Sequence, residues 1–128
     1  MTDRRQYEAL TPVQIESELR AKYHELDDAQ QMLNLARAQY DTAKPTHVGA
    51  HAKARTQIKM DARIKGDKLT VQDLDDLTVI ATLDEYQALI VAEGMVAAAK
   101  GNVTKCLAQI DILRSLGASV REAYRGPH

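Results

Sequence analysis

The sequence contains no tryptophan and no phenylalanine, and five tyrosines are its only large aromatic side chains. Globular cores usually depend on such side chains, because each one removes a large area from water. Here the hydrophobic residues make up 45% of the chain and are mainly alanine, leucine, isoleucine and valine. Side chains of this kind are sufficient for the seams between packed helices. The composition therefore favours long packed helices over a globule with a deep pocket.

Cysteine is also scarce. Cys106 is the only one, which excludes an internal disulfide, and its place on an apolar helical seam favours a buried, inert thiol over a nucleophile. The sequence has no apolar run of the signal-peptide type and no stretch near the ~20 apolar residues that cross a bilayer. We therefore expect a cytoplasmic protein with no membrane partner.

Neither positive nor negative charge predominates, since the chain has 17 basic and 18 acidic residues and a formal net charge of -1. This balance argues against bulk electrostatic binding to DNA or to a membrane, and against an acidic mimic of nucleic acid. A chain of 128 residues has the length of a single domain. We expect a flexible N-terminus over residues 1–10, one helical-hairpin domain over residues 11–124, and a tail over residues 125–128.

The last third of the chain carries a continuous apolar stripe. Its members recur at steps of three and four, and so share one side of a helix: Ala88, Ala92, Met95, Ala99, Val103, Cys106, Ile110, Leu113, Gly117, Val120 and Tyr124. A seam of about 55 Å needs a partner of equal length. The pattern predicts a helix from Thr82 to Tyr124, with three glycines, Gly94, Gly101 and Gly117, that would permit close packing.

A second stripe lies in the first third. Thr11 and Pro12 predict a helix start, because threonine caps a helix and proline is tolerated at the first helical position. The seam that follows has the same spacing: Ile15, Leu19, Lys22, Leu26, Ala29, Leu33, Ala36, Tyr40 and Ala43. Pro45 then predicts an interruption, a kink or local disorder over residues 44–49.

Beyond Pro45, a weaker helical stretch is expected over residues 46–64, with a thin stripe of Ala50, Ala54, Ile58 and Ala62. Gly66 predicts its end. Thr70 with Asp73 has the spacing of a helix-capping box, and Thr82 with Glu85 repeats it. One helix through both signals is the alternative, but a short helix that ends near residue 81 and then bends is favoured.

The predicted fold class is all-α, an elongated antiparallel helical hairpin or coiled coil with a short helix at the bend. Its seams are longer than one hairpin can cover. We therefore expect a homo-oligomer, either a dimer or a higher assembly.

Basic side chains cluster at the end of the first arm: His51, Arg55, Lys59, Arg63, Lys65 and Lys68. The first four are spaced by four residues and so are predicted to share one helical face. Such rows bind phosphate backbones, because each cation displaces condensed counterions. The alternatives are a solvated helix face, or pairing across the Gly66 turn with the acidic residues of 69–86. Tyr86 and Tyr124 would stack on bases if exposed, although half-buried packing is the commoner role.

No catalytic or metal-binding pattern is present. His47 and His51 have the spacing of a metal-binding pair, but no third ligand is evident and Val48 stands where a zinc protease has glutamate. The acidic cluster Asp73, Asp75 and Asp76 lacks the glycine and the terminal glutamate of an EF-hand. We therefore expect no enzyme activity, no metal and no cofactor.

Several short runs are similar to those of a known group of proteins: residues 62–70, Asp73-Leu74-Asp75, Asp84-Glu85-Tyr86, Ala92-Glu93, Ala97-Ala98-Ala99-Lys100 and Leu113-Arg114-Ser115-Leu116. They resemble the small helical-hairpin accessory proteins of tailed bacteriophages, which are often encoded beside genes for recombination, annealing or single-strand binding. The resemblance covers about residues 50–122. The Pro45 break and the stretch from His47 to His51 depart from it.

This resemblance implies a non-enzymatic phage accessory protein that binds DNA, or a protein partner, in recombination or replication within a host bacterial cell. It assigns no catalytic residues. Two alternatives remain open at the level of sequence. One is a helical antagonist of a host defence protein, and the other is a structural or scaffolding component.

Overall fold

The computed structural model describes residues 10–125, which form three helices: α1 (Pro12–Lys65), α2 (Val71–Ala81) and α3 (Leu83–Arg125). These residues contain no strand. The predicted all-α hairpin, with a short helix between two long ones, is confirmed. By contacts the chain divides into two compact units. Unit 1 contains residues 10–34 and 98–125, and unit 2 contains residues 35–97. Residues 1–9 of the predicted flexible N-terminus and residues 126–128 of the predicted tail lie outside the described residues.

The first helix begins where the sequence predicts it. The backbone N–H of Thr11 donates to Oε1 of Gln14 at 2.9 Å, and the backbone N–H of Gln14 donates to the Thr11 hydroxyl at 3.3 Å. Pro12 is the first helical residue, where its missing N–H leaves no hydrogen bond unmade. This reciprocal cap fixes the start of α1.

The end of α1 is also local in origin. Gly66 has a φ of 75°, a left-handed conformation that strongly favours glycine. Its N–H donates to the Arg63 carbonyl at 3.3 Å, and the N–H of Asp67 donates to the Ala62 carbonyl at 2.9 Å. These two bonds form a Schellman motif, which satisfies the last carbonyls of the helix. The predicted stop at Gly66 is confirmed.

The predicted interruption at Pro45 is wrong, because α1 continues through it. Proline inside a helix removes one backbone hydrogen bond and costs about 3 kcal/mol. The apolar seam nevertheless runs on without a gap, and its members on either side are partly buried: Tyr40, Ala43, His47 and Ala50. Packing of this seam outweighs the local cost, and the two predicted stretches form one helix.

The junction between α2 and α3 agrees with the predicted bend. Thr70 and Asp73 form the predicted capping box, with N–H to side-chain distances of 3.0 and 3.2 Å. The second predicted box is not formed, since Thr82 is engaged with α2. Its N–H and its hydroxyl both donate to the Thr78 carbonyl, at 3.1 and 2.8 Å. Thr82 therefore closes α2 and is not linked to Glu85.

In unit 1, the start of α1 packs antiparallel on the end of α3. Ile15, Leu113 and Leu116 form the buried cluster, and partly buried side chains surround it: Leu10, Leu19, Ile112 and Val120. A Cβ placed on Gly117 would lie 3.4 Å from Cγ2 of Ile15, so α1 and α3 approach closely there. Leu10, the last residue of the predicted flexible N-terminus, packs against this core.

The predicted seam of α1 is confirmed, since all nine members from Ile15 to Ala43 are buried or partly buried. The predicted seam of α3 is correct only in part. Six of its members are buried: Ala92, Ala99, Cys106, Ile110, Leu113 and Gly117. Ala88, Met95 and Tyr124 are exposed, and the inner face instead includes Leu89, Val96 and Leu116. Which of these neighbouring positions face inward is decided by how α3 packs on α1, and this differs from the predicted spacing.

Two of the glycines predicted to permit close packing do not do so. A Cβ on Gly94 or Gly101 would meet no atom within 4 Å. Both glycines lie on exposed positions of α3. Of the three, only Gly117 lies in a helix contact.

Candidate functional site

The predicted cluster of six basic side chains is called the basic row below: His51, Arg55, Lys59, Arg63, Lys65 and Lys68. All six lie in unit 2, on α1 or in the turn after it. His51 and Arg55 are partly buried, whereas the other four are exposed: Lys59, Arg63, Lys65 and Lys68. Positions four apart are rotated by about 40° on a helix of 3.6 residues per turn. The row therefore winds from the partly buried side of α1 at His51 to its exposed side at Arg63. It is a curved track rather than a single face.

One member of the row is paired with an acid. The Arg55 guanidinium donates to a carboxylate oxygen of Asp75 on α2, and the two side chains are 31% and 50% exposed. This is the pairing between basic and acidic segments that the sequence allows as an alternative to a binding site. It occurs at a single position.

Three other acidic side chains near the row are engaged within their own helix or its cap. Asp73 caps α2, Asp76 accepts from Nε2 of Gln72 at 2.8 Å, and Asp61 accepts from Nε2 of Gln57 at 3.0 Å. Over residues 10–125, no ion pair includes Lys59, Arg63, Lys65 or Lys68. These four cations are available to an external anion.

Beside the row, unit 2 holds a cluster of rings that joins α1 to α3. The ring centroids of His47 and His51 are 6.0 Å apart, and those of His47 and Tyr86 are 5.6 Å apart. With Val79 and Thr82 these rings line a cavity of about 330 Å³. His51 thus belongs both to the basic row and to the cavity wall. Tyr86 is 46% exposed, so its ring is accessible to solvent.

Cations stand before and after the two histidines on α1. Arg55 follows His51 by one turn, and Lys44 precedes His47 by nearly one turn. The neighbouring Tyr40 side chain, with a smaller contribution from Glu93, raises the pKa of Lys44 above its ordinary value. The Lys44 ammonium lies 5.6 Å from the centroid of the Tyr40 ring.

A metal site is not assembled within residues 10–125, where no three His, Cys, Asp or Glu side chains converge. Cys106 is a buried free thiol, as its place on the seam predicts. Tyr124 is 70% exposed and lies in unit 1, whereas the basic row lies in unit 2.

Sequence reasoning found the basic row but did not find the cavity beside it. The histidine pair is visible in the sequence as a four-residue spacing. Its contact with Tyr86, which is 39 positions further along the chain than His47, depends on how α3 packs on α1. No local pattern carries that information.

Within residues 10–125, no helix combines the length and the apolar character that a bilayer span needs. Comparison of the chain with models of protein families, with curated proteins and with solved structures gave no match.

Proposed function

We propose that this chain is a non-enzymatic accessory protein that binds nucleic acid through the basic row of unit 2. The observation that supports this proposal is the state of the charges around the row. Four cations make no ion pair with a described residue: Lys59, Arg63, Lys65 and Lys68. The acids of α2 are held mainly by hydrogen bonds within their own helix. A local positive track thus exists in a chain whose net charge is -1.

The resemblance of residues 50–122 to phage helical-hairpin proteins suggests the setting. It favours a role in bacteriophage DNA recombination or replication, inside a bacterial host cell. Because the net charge of the chain is near zero, the binding would be local and weak. With about four phosphate contacts, the logarithm of the binding constant should fall with the logarithm of salt with a slope of about -3 on a single strand.

The test of this proposal is reversal of the charges of the basic row. Arg55→Glu, Lys59→Glu and Arg63→Glu together should abolish binding to a fluorescent DNA oligonucleotide at low salt. The matched control reverses three exposed cations of unit 1, Lys100, Lys105 and Arg121, and should leave binding unchanged. Absence of binding by the wild-type chain, binding that does not respond to salt, or full binding by the reversed row would refute the proposal.

The same measurement separates the alternatives. A helical antagonist of a host protein has no affinity for DNA and forms a stoichiometric complex with its protein target. A scaffolding component also has no such affinity and occurs in many copies in purified particles.

A second candidate property, self-association, is favoured by the outer face of α3 in unit 2. The residues Leu83, Gln87, Ile90 and Gly94 recur at steps of four and three on the side opposite the buried Ala92. Leu83 is 45% exposed and Ile90 is 46% exposed. A stripe with this spacing fits another helix. Within residues 10–125 no other helix covers this side, because its residues are exposed. We propose that a second copy of the chain packs here, since a stripe can pair with its own copy about a two-fold axis.

A further inference from the structure

We infer that the nucleic acid is single-stranded and that an unpaired base inserts into the cavity formed by His47, His51, Tyr86, Val79 and Thr82. This inference rests on the proposed function, because it names the ligand of the same surface. It adds a recognition element that the basic row does not contain. Phosphate contacts hold any nucleic acid, whereas a cavity walled by rings accepts only a base that has left its stack.

The rings of the cavity leave their faces open. The planes of His47 and His51 are inclined by 55°, and those of His47 and Tyr86 by 54°. In this tilted arrangement no ring of the cluster covers the whole face of another. Single-stranded binding proteins use such open ring faces as platforms on which bases stack. Tyr86, at 46% exposure, is the platform closest to solvent.

The remaining walls suit the edge of a base. Val79 contributes an apolar wall, and the two histidines contribute imidazole rings with polar atoms. A simple anion would gain little from this site, because most of the wall is carbon.

The cavity lies directly before two cations of the basic row on α1, so one strand can contact both. Arg55 and Lys59 follow His51 at successive turns, each about 6 Å further along α1. A strand whose base enters between the rings therefore has its next phosphates beside these cations. Asp75 faces the same track and pairs with Arg55. This acid weakens phosphate binding beside the cavity, so base insertion contributes a larger share of the affinity.

A duplex lacks the free base that this site requires. Its bases are stacked and paired, and extrusion of one base costs a few kcal/mol even in enzymes designed to do so. We therefore expect the wild-type chain to prefer single-stranded DNA to duplex DNA of the same length.

The experiment measures fluorescence anisotropy with a labelled oligothymidylate, and with a labelled duplex of the same length. Tyr86→Ala should weaken single-strand binding by about tenfold, the scale of losing one base–aromatic stack, and should leave duplex binding unchanged. Tyr86→Phe, which keeps the ring, should restore the wild-type value. Leu107→Ala is the control at an exposed apolar side chain of unit 1 and should have no effect.

The outcomes distinguish this inference from the proposed function. If the wild type binds both forms equally, and Tyr86→Ala leaves both unchanged, the row binds nucleic acid and base insertion is wrong. If the wild type binds neither form, the proposed function itself is wrong. Because Tyr86→Ala could disturb packing, circular dichroism and the thermal midpoint are recorded for each variant. His51→Ala provides a second test, and it too should selectively weaken single-strand binding.

Discussion

Arg55 of α1 and Asp75 of α2 form an ion pair within unit 2. Over residues 10–125 it is the sole ion pair between the basic row and an acidic side chain. Both side chains are substantially exposed, at 31% and 50%. Pairs that are open to solvent contribute about 0–1 kcal/mol to stability. The pair therefore affects the availability of Arg55 more than it affects the fold.

Removal of the Asp75 charge should strengthen nucleic-acid binding. In Asp75→Asn, Arg55 is released and a carboxylate beside the track is neutralised, so the affinity for single-stranded DNA should rise by about three- to tenfold at low salt. The gain should shrink as salt is added, because screening already weakens the repulsion. The measurement is fluorescence anisotropy over a range of salt concentrations.

Asp76→Asn is the matched control, since Asp76 bonds to Gln72 and to no cation among the described residues. It removes the same charge one residue away. A gain of the same size in both variants would mean that net charge alone is responsible. A loss of affinity in Asp75→Asn would contradict the view that the ion pair competes with phosphate.

Three helix ends could be predicted from sequence because their causes are local. Thr11, Gly66 and Thr70 satisfy backbone groups within a few residues of themselves, and each has the predicted role. The buried face of α1 was also predictable, because the spacing of apolar residues indicates which side of a helix is packed. Features that depend on the partner helix were not predictable. The register of α3 and the meeting of His47 with Tyr86 follow from packing between distant segments.

Pro45 is the clearest case of packing that overrides a local preference. Replacement by alanine restores an N–H donor to the helix and removes the steric conflict, so Pro45→Ala should stabilise the fold by about 1–3 kcal/mol. The free energy of unfolding, from urea titration followed by circular dichroism, gives the measurement. Pro12→Ala is the control, because proline at the first helical position costs little and its loss should change stability by under about 0.5 kcal/mol. A destabilised Pro45→Ala variant would show that proline at this position stabilises the fold.

The core of unit 1 depends on Leu113, whose side chain is fully buried at 0% exposure. Leu113→Ala should lower the free energy of unfolding by about 2–5 kcal/mol, because it removes buried methyl groups and leaves a cavity. Leu107 lies on the same helix at 47% exposure, and Leu107→Ala should cost under about 1 kcal/mol. Thermal unfolding of the two variants tests the contrast. Equal losses would mean that the packing of α3 in unit 1 differs from the one described.

The outer face of α3 provides the last prediction, which concerns self-association. Ile90 lies on this face at 46% exposure, so Ile90→Glu leaves the buried face of the helix intact. A charge there would be unpaired in a two-fold helix contact, so it should convert a dimer to a monomer in size-exclusion chromatography with light scattering. The wild-type thermal midpoint should rise with protein concentration, and that dependence should vanish in the variant.

Val48→Glu is the matched control, because Val48 is 57% exposed on α1 and lies outside the α3 stripe. It should leave the molecular mass unchanged. A wild-type chain that is monomeric at every concentration would exclude self-association, and it would do so without affecting the nucleic-acid proposal, which needs only unit 2 of a single copy. A dimer that persists in Ile90→Glu would place the contact on a different surface. Both results are read from the same scattering data, so the position of the interface is tested together with its existence.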